Sequence, residues 1–220
     1  MGVYIHWPFC ESKCPYCDFN SHVSDNIDNL RWRQAFITEL DYFANETKNK
    51  TVTSIFFGGG TPSIMAPETT ASIIEAVKSH WETKKNLEIT LEANPSTAEI
   101  GRFNAFREAG INRLSLGVQS LSHQNLRYLG RKHSVADAKK AVGLAAKIFP
   151  RFSFDLMYGL PGQKRTDWRQ ELNHAMDFVG DHISVYQLTI EPGTPFHRNK
   201  VPAASEKNGM ELYQDTQTIL

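Results

Sequence analysis

The stretch Gly2-Val-Tyr-Ile-His-Trp7-Pro-Phe-Cys10-Glu-Ser-Lys-Cys14-Pro-Tyr-Cys17 runs from a short apolar segment into three cysteines, and the remaining positions of the 220-residue chain hold no others. Gly2–Trp7 has the length and the aromatic and β-branched content of a strand. Three thiols on one short loop can face a single centre, and soft sulfur donors select iron–sulfur clusters or zinc over hard cations. A structural zinc closes its fourth corner with another Cys or a His and favours Cys-x2-Cys pairs. A four-iron cluster on three cysteines instead keeps one iron open for chemistry. We read the loop as a cluster site; a Cys3His zinc site using His6 or His22 is the alternative. The odd count, in a chain of this length with no charged-then-apolar segment at its start, argues against a disulfide framework.

Outward from that loop, the strand-then-loop pattern repeats. Apolar runs of strand length alternate with amphipathic stretches of helix length, the signature of βα units around a parallel sheet. The spacing predicts strands near Gly2–Trp7, Val52–Gly58, Leu87–Ala93, Arg113–Gln119, Phe152–Tyr158 and Ile183–Thr189. Helices are expected over Ile27–Thr47, Pro67–Glu82, Ala98–Ala109, Ser122–Lys147 with a break near Gly130, and Thr166–Val179. Six such units make a partial (β/α)6 barrel of the TIM type, because the closed eight-unit form needs about 250 residues. Residues 1–190 form the expected core. The Pro- and Gly-containing stretch from Glu191 to Ala204 is the expected connection, and Ser205–Leu220 starts a further helical pattern that stops without an end signal, so 191–220 reads as the start of a truncated region.

Composition narrows the class. Lys plus Arg and Asp plus Glu both number 24, and 40% of residues are apolar. That balance suits a cytoplasmic enzyme core and implies no nucleic-acid partner. The longest apolar runs fall far short of the roughly 20 residues needed to cross a bilayer.

In parallel barrels the chemistry sits at the C-terminal ends of the strands, whose loops open on one face. Here those ends carry the cysteine loop, Gly58-Gly59-Gly60-Thr61-Pro62, Glu92, Gln119 and, inside the fifth strand, Asp155. Glycines let backbone groups approach a ligand with no side chain between. By itself such a turn is ordinary, and it lacks the spacing of a phosphate-binding loop or dinucleotide fingerprint. Asp155, within Phe152-Ser-Phe-Asp-Leu-Met-Tyr158, needs a partner to offset burial. A ligand would supply one; a pairing with Arg113 or Arg131 that only holds strands together would do the same.

Larger blocks carry a resemblance. Val3-Tyr-Ile-His-Trp-Pro-Phe-Cys10 with Cys14 and Cys17 resembles the radical S-adenosylmethionine superfamily, whose Cys-x3-Cys-x2-Cys loop holds a [4Fe-4S] cluster. Together with Gly-Gly-Gly-Thr-Pro-Ser, Gly-Val-Gln-Ser, Leu-Gly-Arg-x-His and Asp-Leu-Met-Tyr-Gly-Leu-Pro-Gly-Gln, the chain is similar to the oxygen-independent coproporphyrinogen III dehydrogenases and the related HemW-type haem chaperones. The dehydrogenases carry a fourth cysteine two residues beyond the third, where this chain has Phe19, as the chaperones differ there. The resemblance therefore favours the chaperone. It also implies that the family's C-terminal region, with its His-Asn-x-x-Tyr-Trp segment associated with haem, is missing from these residues.

Carried over position by position, the resemblance implies Cys10, Cys14 and Cys17 as cluster ligands, with the open iron left for S-adenosylmethionine. It implies Tyr4, Gly59, Gly60, Thr61 and Glu92 around that cofactor, and matches Tyr16, Gln119, Arg131 and Asp155 to a second cofactor site of the dehydrogenases. The expected function is a cytoplasmic haem chaperone that delivers haem to haem-dependent enzymes, with peripheral membrane contact; coproporphyrinogen dehydrogenation is the alternative and is not expected as an activity.

Overall fold

The computed structural model describes residues 1–220, apart from the side chains of Thr97 and Ala98. Its strands are β1 (Gly2–Trp7), β2 (Phe9–Cys10), β3 (His22–Val23), β4 (Thr51–Gly59), β5 (Glu82–Ala93), β6 (Arg113–Gln119), β7 (Arg151–Tyr158) and β8 (Ser184–Gln187). Six of them form one sheet in the order β1-β4-β5-β6-β7-β8, and every pair is parallel. Consecutive parallel strands need a crossover long enough to return to the starting edge. The sheet curls into a half-barrel, a partial (β/α)6 TIM-like fold. The separate two-stranded ladder pairs β2 with β3 and closes the cysteine loop at its base.

The crossovers are α1 (Asn29–Glu46), α2 (Pro67–His80), α3 (Thr97–Ile100) with α4 (Phe103–Glu108), α5 (His123–Tyr128) with α6 (Val135–Ile148), and α7 (Arg165–Met176); α8 (Pro195–Arg198) and α9 (Glu206–Ile219) follow β8. Three of the crossover helices start at short polar side chains that accept the first free amides. Asp28 accepts from Arg31 N–H, Ser122 from Asn125 N–H, and Ser134 forms a capping box with Asp137. The core lies between sheet and helices. Leu91, Leu114, Leu116, Phe154 and Leu156 of the central strands are buried, as are Ala138, Ala141 and Ala145 at helical spacing on α6. No helix among the described residues is long and apolar enough to cross a membrane.

Element boundaries depart from expectation in instructive places. The second helix ends at His80, not Glu82, because Trp81 turns into an extended conformation, is buried, and donates its indole N–H to Thr47 Oγ1 at 3.0 Å. The third strand therefore starts at Glu82, and Thr51 and Val52 pair with Glu82 and Thr83. The helix expected over Ala98–Ala109 is divided into α3 and α4 around Gly101; the side chain of Ala98 lies outside the described residues. The break near Gly130 is present: its φ is +66°, a left-handed conformation that glycine adopts without strain. Residues 191–220 pack onto the barrel. Leu212 lies in the main core, Trp168 Nε1 donates to Thr216 Oγ1 at 2.9 Å, and Asp215 accepts from Arg165 and Arg169, each at 2.8 Å.

Candidate functional site

The C-terminal ends of β4 to β8 and the cysteine loop surround a cleft of about 500 Å3. Cys10 belongs to β2 and is buried, Cys14 and Cys17 are partly exposed, and all three are free thiols. The loop is tied down by polar contacts at several points. His22 N–H donates to Pro8 O at 2.7 Å, Cys17 N–H to Cys14 O at 3.1 Å, and Lys13 Nζ to Phe19 O at 2.9 Å and Ser21 O at 3.3 Å. His6 Nε2 lies 2.9 Å from Asn20 O, fastening β1 to the end of the loop. Burial pushes the Cys17 thiol up. Among the described residues, no three or more His, Cys, Asp or Glu side chains converge at the spacing of a single metal ion.

The triple glycine runs beneath that loop. Gly60 N–H donates to Trp7 O and Thr61 N–H to Phe9 O, both at 2.7 Å. A Cβ at Gly60 would sit on the Phe9 carbonyl, so the close approach that this glycine permits is that of the main chain leading into Cys10. Gly59, at φ +113°, presents its N–H to Glu92. Thr61 is buried, and its Oγ1 accepts from Asn94 Nδ2 at 3.3 Å.

Glu92 and Asp155 are two of the carboxylates that line the cleft. Burial, with the charge of Asp155 added, pushes Glu92 up to about 7 against the pull of the Gly59 amide. Burial likewise raises Asp155 to about 6, opposed by a hydrogen bond from Ser184 and by the charges of Arg131 and Arg113. Arg131 and Arg113 thus both act on Asp155, yet among the described residues neither forms an ion pair with it within 4.0 Å. Arg131 spans the cleft floor: Nη1 donates to Cys14 Sγ at 3.2 Å, and Nη2 to Gly117 O at 2.9 Å and to Asn94 Oδ1. Its Nε is buried with no acceptor, which costs about 1–3 kcal/mol unless a ligand supplies one. Burial also raises the Tyr16 phenol.

Of the site residues expected from sequence, eleven of the twelve line this cleft, namely the three cysteines, Tyr16, Gly59, Gly60, Thr61, Glu92, Gln119, Arg131 and Asp155. Gln119 does so because β6 shifts register after Leu116 and Gln119 takes φ +69°. Tyr4 does not line the cleft: it is 57% exposed on the edge strand, its ring stacked 6.1 Å from Phe56 and its hydroxyl 3.4 Å from His6 Nδ1, yet it is near enough to Glu92 for that carboxylate's charge to raise its phenol, after burial. Four further residues enter the site that sequence reasoning passed over. Asn94 bridges Thr61 and Arg131, and Tyr186 donates its hydroxyl to Gln119 Oε1. Gly130 lies against Pro15 of the cysteine loop, where an added Cβ would come within 2.7 Å of the proline ring. His133 is buried and held down to about 4 by burial and by Arg131, with its ring 3.0 Å from Val118 O. Asn94 and Tyr186 lie at or beside strand ends, the one signal that would have found them.

The family described as the radical SAM superfamily matches residues 4–175. The chain belongs to the radical SAM superfamily. Members of this superfamily generally hold a [4Fe-4S] cluster and S-adenosylmethionine. The chain is 41% identical over 224 residues to the mouse mitochondrial radical S-adenosyl methionine domain-containing protein 1, covering 100% of this chain and 51% of that protein. It is 43% identical over 204 residues to the heme chaperone HemW of Haemophilus influenzae, covering 89% of this chain and 53% of the relative. The chain thus spans about half the length of the curated relatives it matches. In fold it is similar to the Escherichia coli coproporphyrinogen III oxidase HemN, with a TM-score of 0.87 at 24% identity over 100% of this chain and 52% of that one. The residues present fit the superfamily's cofactors: a set of soft donors, one of them buried, opens on a cleft whose floor holds an unsatisfied cationic donor.

Proposed function

We propose that this chain is the cluster-bearing core of a HemW-type haem chaperone. The single observation that carries the reading is Phe19, 57% exposed, standing where the dehydrogenases have their extra cysteine, in a chain over 40% identical to a heme chaperone. In this reading Cys10, Cys14 and Cys17 hold a [4Fe-4S] cluster, and Gly59, Thr61 and Glu92 lie around S-adenosylmethionine at its open iron. Gly60 serves by admitting the loop backbone. Tyr4 contributes from the strand edge. Residues 1–190 carry the cluster-bearing barrel, and 191–220, packed onto it through Leu212, lead toward the additional region that the relatives possess. The protein works in the cytoplasm or at a membrane surface and passes haem to haem-dependent enzymes.

When bound, the cluster supplies one electron to the sulfonium of S-adenosylmethionine, and that chemistry belongs to the cofactors. The protein's own contribution is orientation and exclusion of water. Lys13 and His6 hold the loop shape, while Arg131 keeps a positive charge beside Cys14. A second reading, a coproporphyrinogen dehydrogenase-like oxidoreductase, is favoured by one observation: Tyr16, Gln119, Arg131 and Asp155 share the cleft, as a second cofactor site requires.

Anaerobic reconstitution with iron and sulfide, followed by haem titration and a porphyrinogen turnover assay on one preparation, tests both. The chaperone reading expects a cluster and no decarboxylated product. Turnover would replace it with the oxidoreductase, and stoichiometric zinc without iron–sulfur absorption would remove both.

A further inference from the structure

Arg131 has five N–H donors, and their partners define what it does. Both hydrogens of Nη2 are taken, by Asn94 Oδ1 and by Gly117 O. Nη1 points at Cys14 Sγ, 3.2 Å away, and Nε is buried without an acceptor. The backbone is equally fixed: Arg131 N–H donates to Leu126 O at 2.9 Å, and the preceding Gly130 lies against Pro15, next to Cys14. Asn94 passes the restraint on to Thr61 at 3.3 Å. One continuous set of side chains therefore ties a thiol of the cysteine loop to the turn after β4.

We propose that Arg131 sets the reduction potential of the cluster through a charge-assisted hydrogen bond to the Cys14 thiolate, and that Asn94 is the positioning residue that aims it. A donor to a ligating sulfur withdraws electron density from the thiolate and favours the more reduced, more negatively charged cluster, raising its potential. The planar guanidinium bridges Cys14, Asn94 and Gly117 at once, which a compact ammonium on a flexible stem does not. The inference rests on the reading that Cys14 ligates a cluster.

The test is a redox titration of the reconstituted 220-residue protein, monitored by electron paramagnetic resonance without S-adenosylmethionine. Parent protein is compared with Arg131→Gln, Arg131→Lys and Asn94→Ala, each checked for iron and sulfide content and for its circular dichroism. Arg131→Gln is expected to shift the midpoint to more negative potential. Arg131→Lys, which keeps the charge and loses the fork, should fall between it and the parent. Asn94→Ala should shift in the same direction by less. Unchanged midpoints in all three variants would overturn the proposal. So would failure of all three to hold a cluster that the parent holds, since the bond would then serve only to close the loop. A parent that takes up no iron would instead remove the cluster reading itself, a distinguishable outcome.

Discussion

Glu92 and Asp155 sit close enough for the charge of one to raise the other, and both titrate near neutrality at about 7 and about 6. An acid whose folded pKa exceeds its unfolded value binds more protons when folded, so stability falls as pH rises between the two values. For Glu92 that window runs from 4.5 to about 7, and for Asp155 from 3.8 to about 6. Glu92→Gln should therefore stabilise the cofactor-free protein at pH 8 by roughly 1–3 kcal/mol and leave it unchanged at pH 4; thermal melts at the two pH values check this. The same substitution should weaken S-adenosylmethionine binding, read as a smaller perturbation of the reduced cluster's spectrum. Gly60→Ala acts differently. Its new Cβ meets the Phe9 carbonyl, so it should cost about 2 kcal/mol or more of stability and lower iron uptake, before any effect on cofactor approach. Retained iron with weakened cofactor binding would show instead that Gly60 serves the cofactor directly.

At the scale of elements, α9 is held to α7 by Asp215 between Arg165 and Arg169 and by the Trp168–Thr216 bond. The two guanidiniums hold the Asp215 carboxyl down to about 2, against an ordinary 3.8. A depressed acid contributes stability above its unfolded pKa and loses it as pH falls through the folded one. Asp215→Asn should therefore lower stability at pH 7 by about 1–2 kcal/mol, modest because both arginines are nearly half exposed. The difference should vanish as pH drops from about 4 to 2, and urea melts across that range measure it. The cysteine loop is an element of the same kind, built from the β2–β3 ladder and the Lys13 and His6 contacts. Serine at any one of Cys10, Cys14 or Cys17 should abolish the cluster while leaving the barrel's circular dichroism intact.

For the whole molecule, reconstitution should give about four irons per chain, because three thiolates on one loop otherwise lack a partner. The haem prediction belongs here too. The chain spans about half of its heme chaperone relatives, and the His-Asn-x-x-Tyr-Trp segment is absent from it. It should keep its cluster and bind haem poorly, and a chain extended through the relatives' additional region should bind haem well. Absorption titrations of both forms decide. Tight binding by the 220-residue form would move the haem site into the barrel.

The repeating strand-and-helix pattern, the three-cysteine loop and the glycine-rich turn were legible in the chain itself, because period, spacing and residue type are local properties. They determined the parallel half-barrel and put the cysteines, Glu92, Gln119 and Asp155 at strand ends that share a face. What the local signal could not carry was direction. Trp81 reads as part of a helix until Thr47, distant in sequence, supplies its hydrogen-bond acceptor. Gly60 lines the cleft as expected, but the Phe9 backbone it also admits is a contact that no local signal announces. Arg131 reads as a partner for Asp155, and only the folded chain turns it to Cys14, Asn94 and Gly117. In each case the deciding contact joins residues from separate βα units. Only the closure of one strand against the next fixes which side chains face the cleft and which partners meet their polar groups.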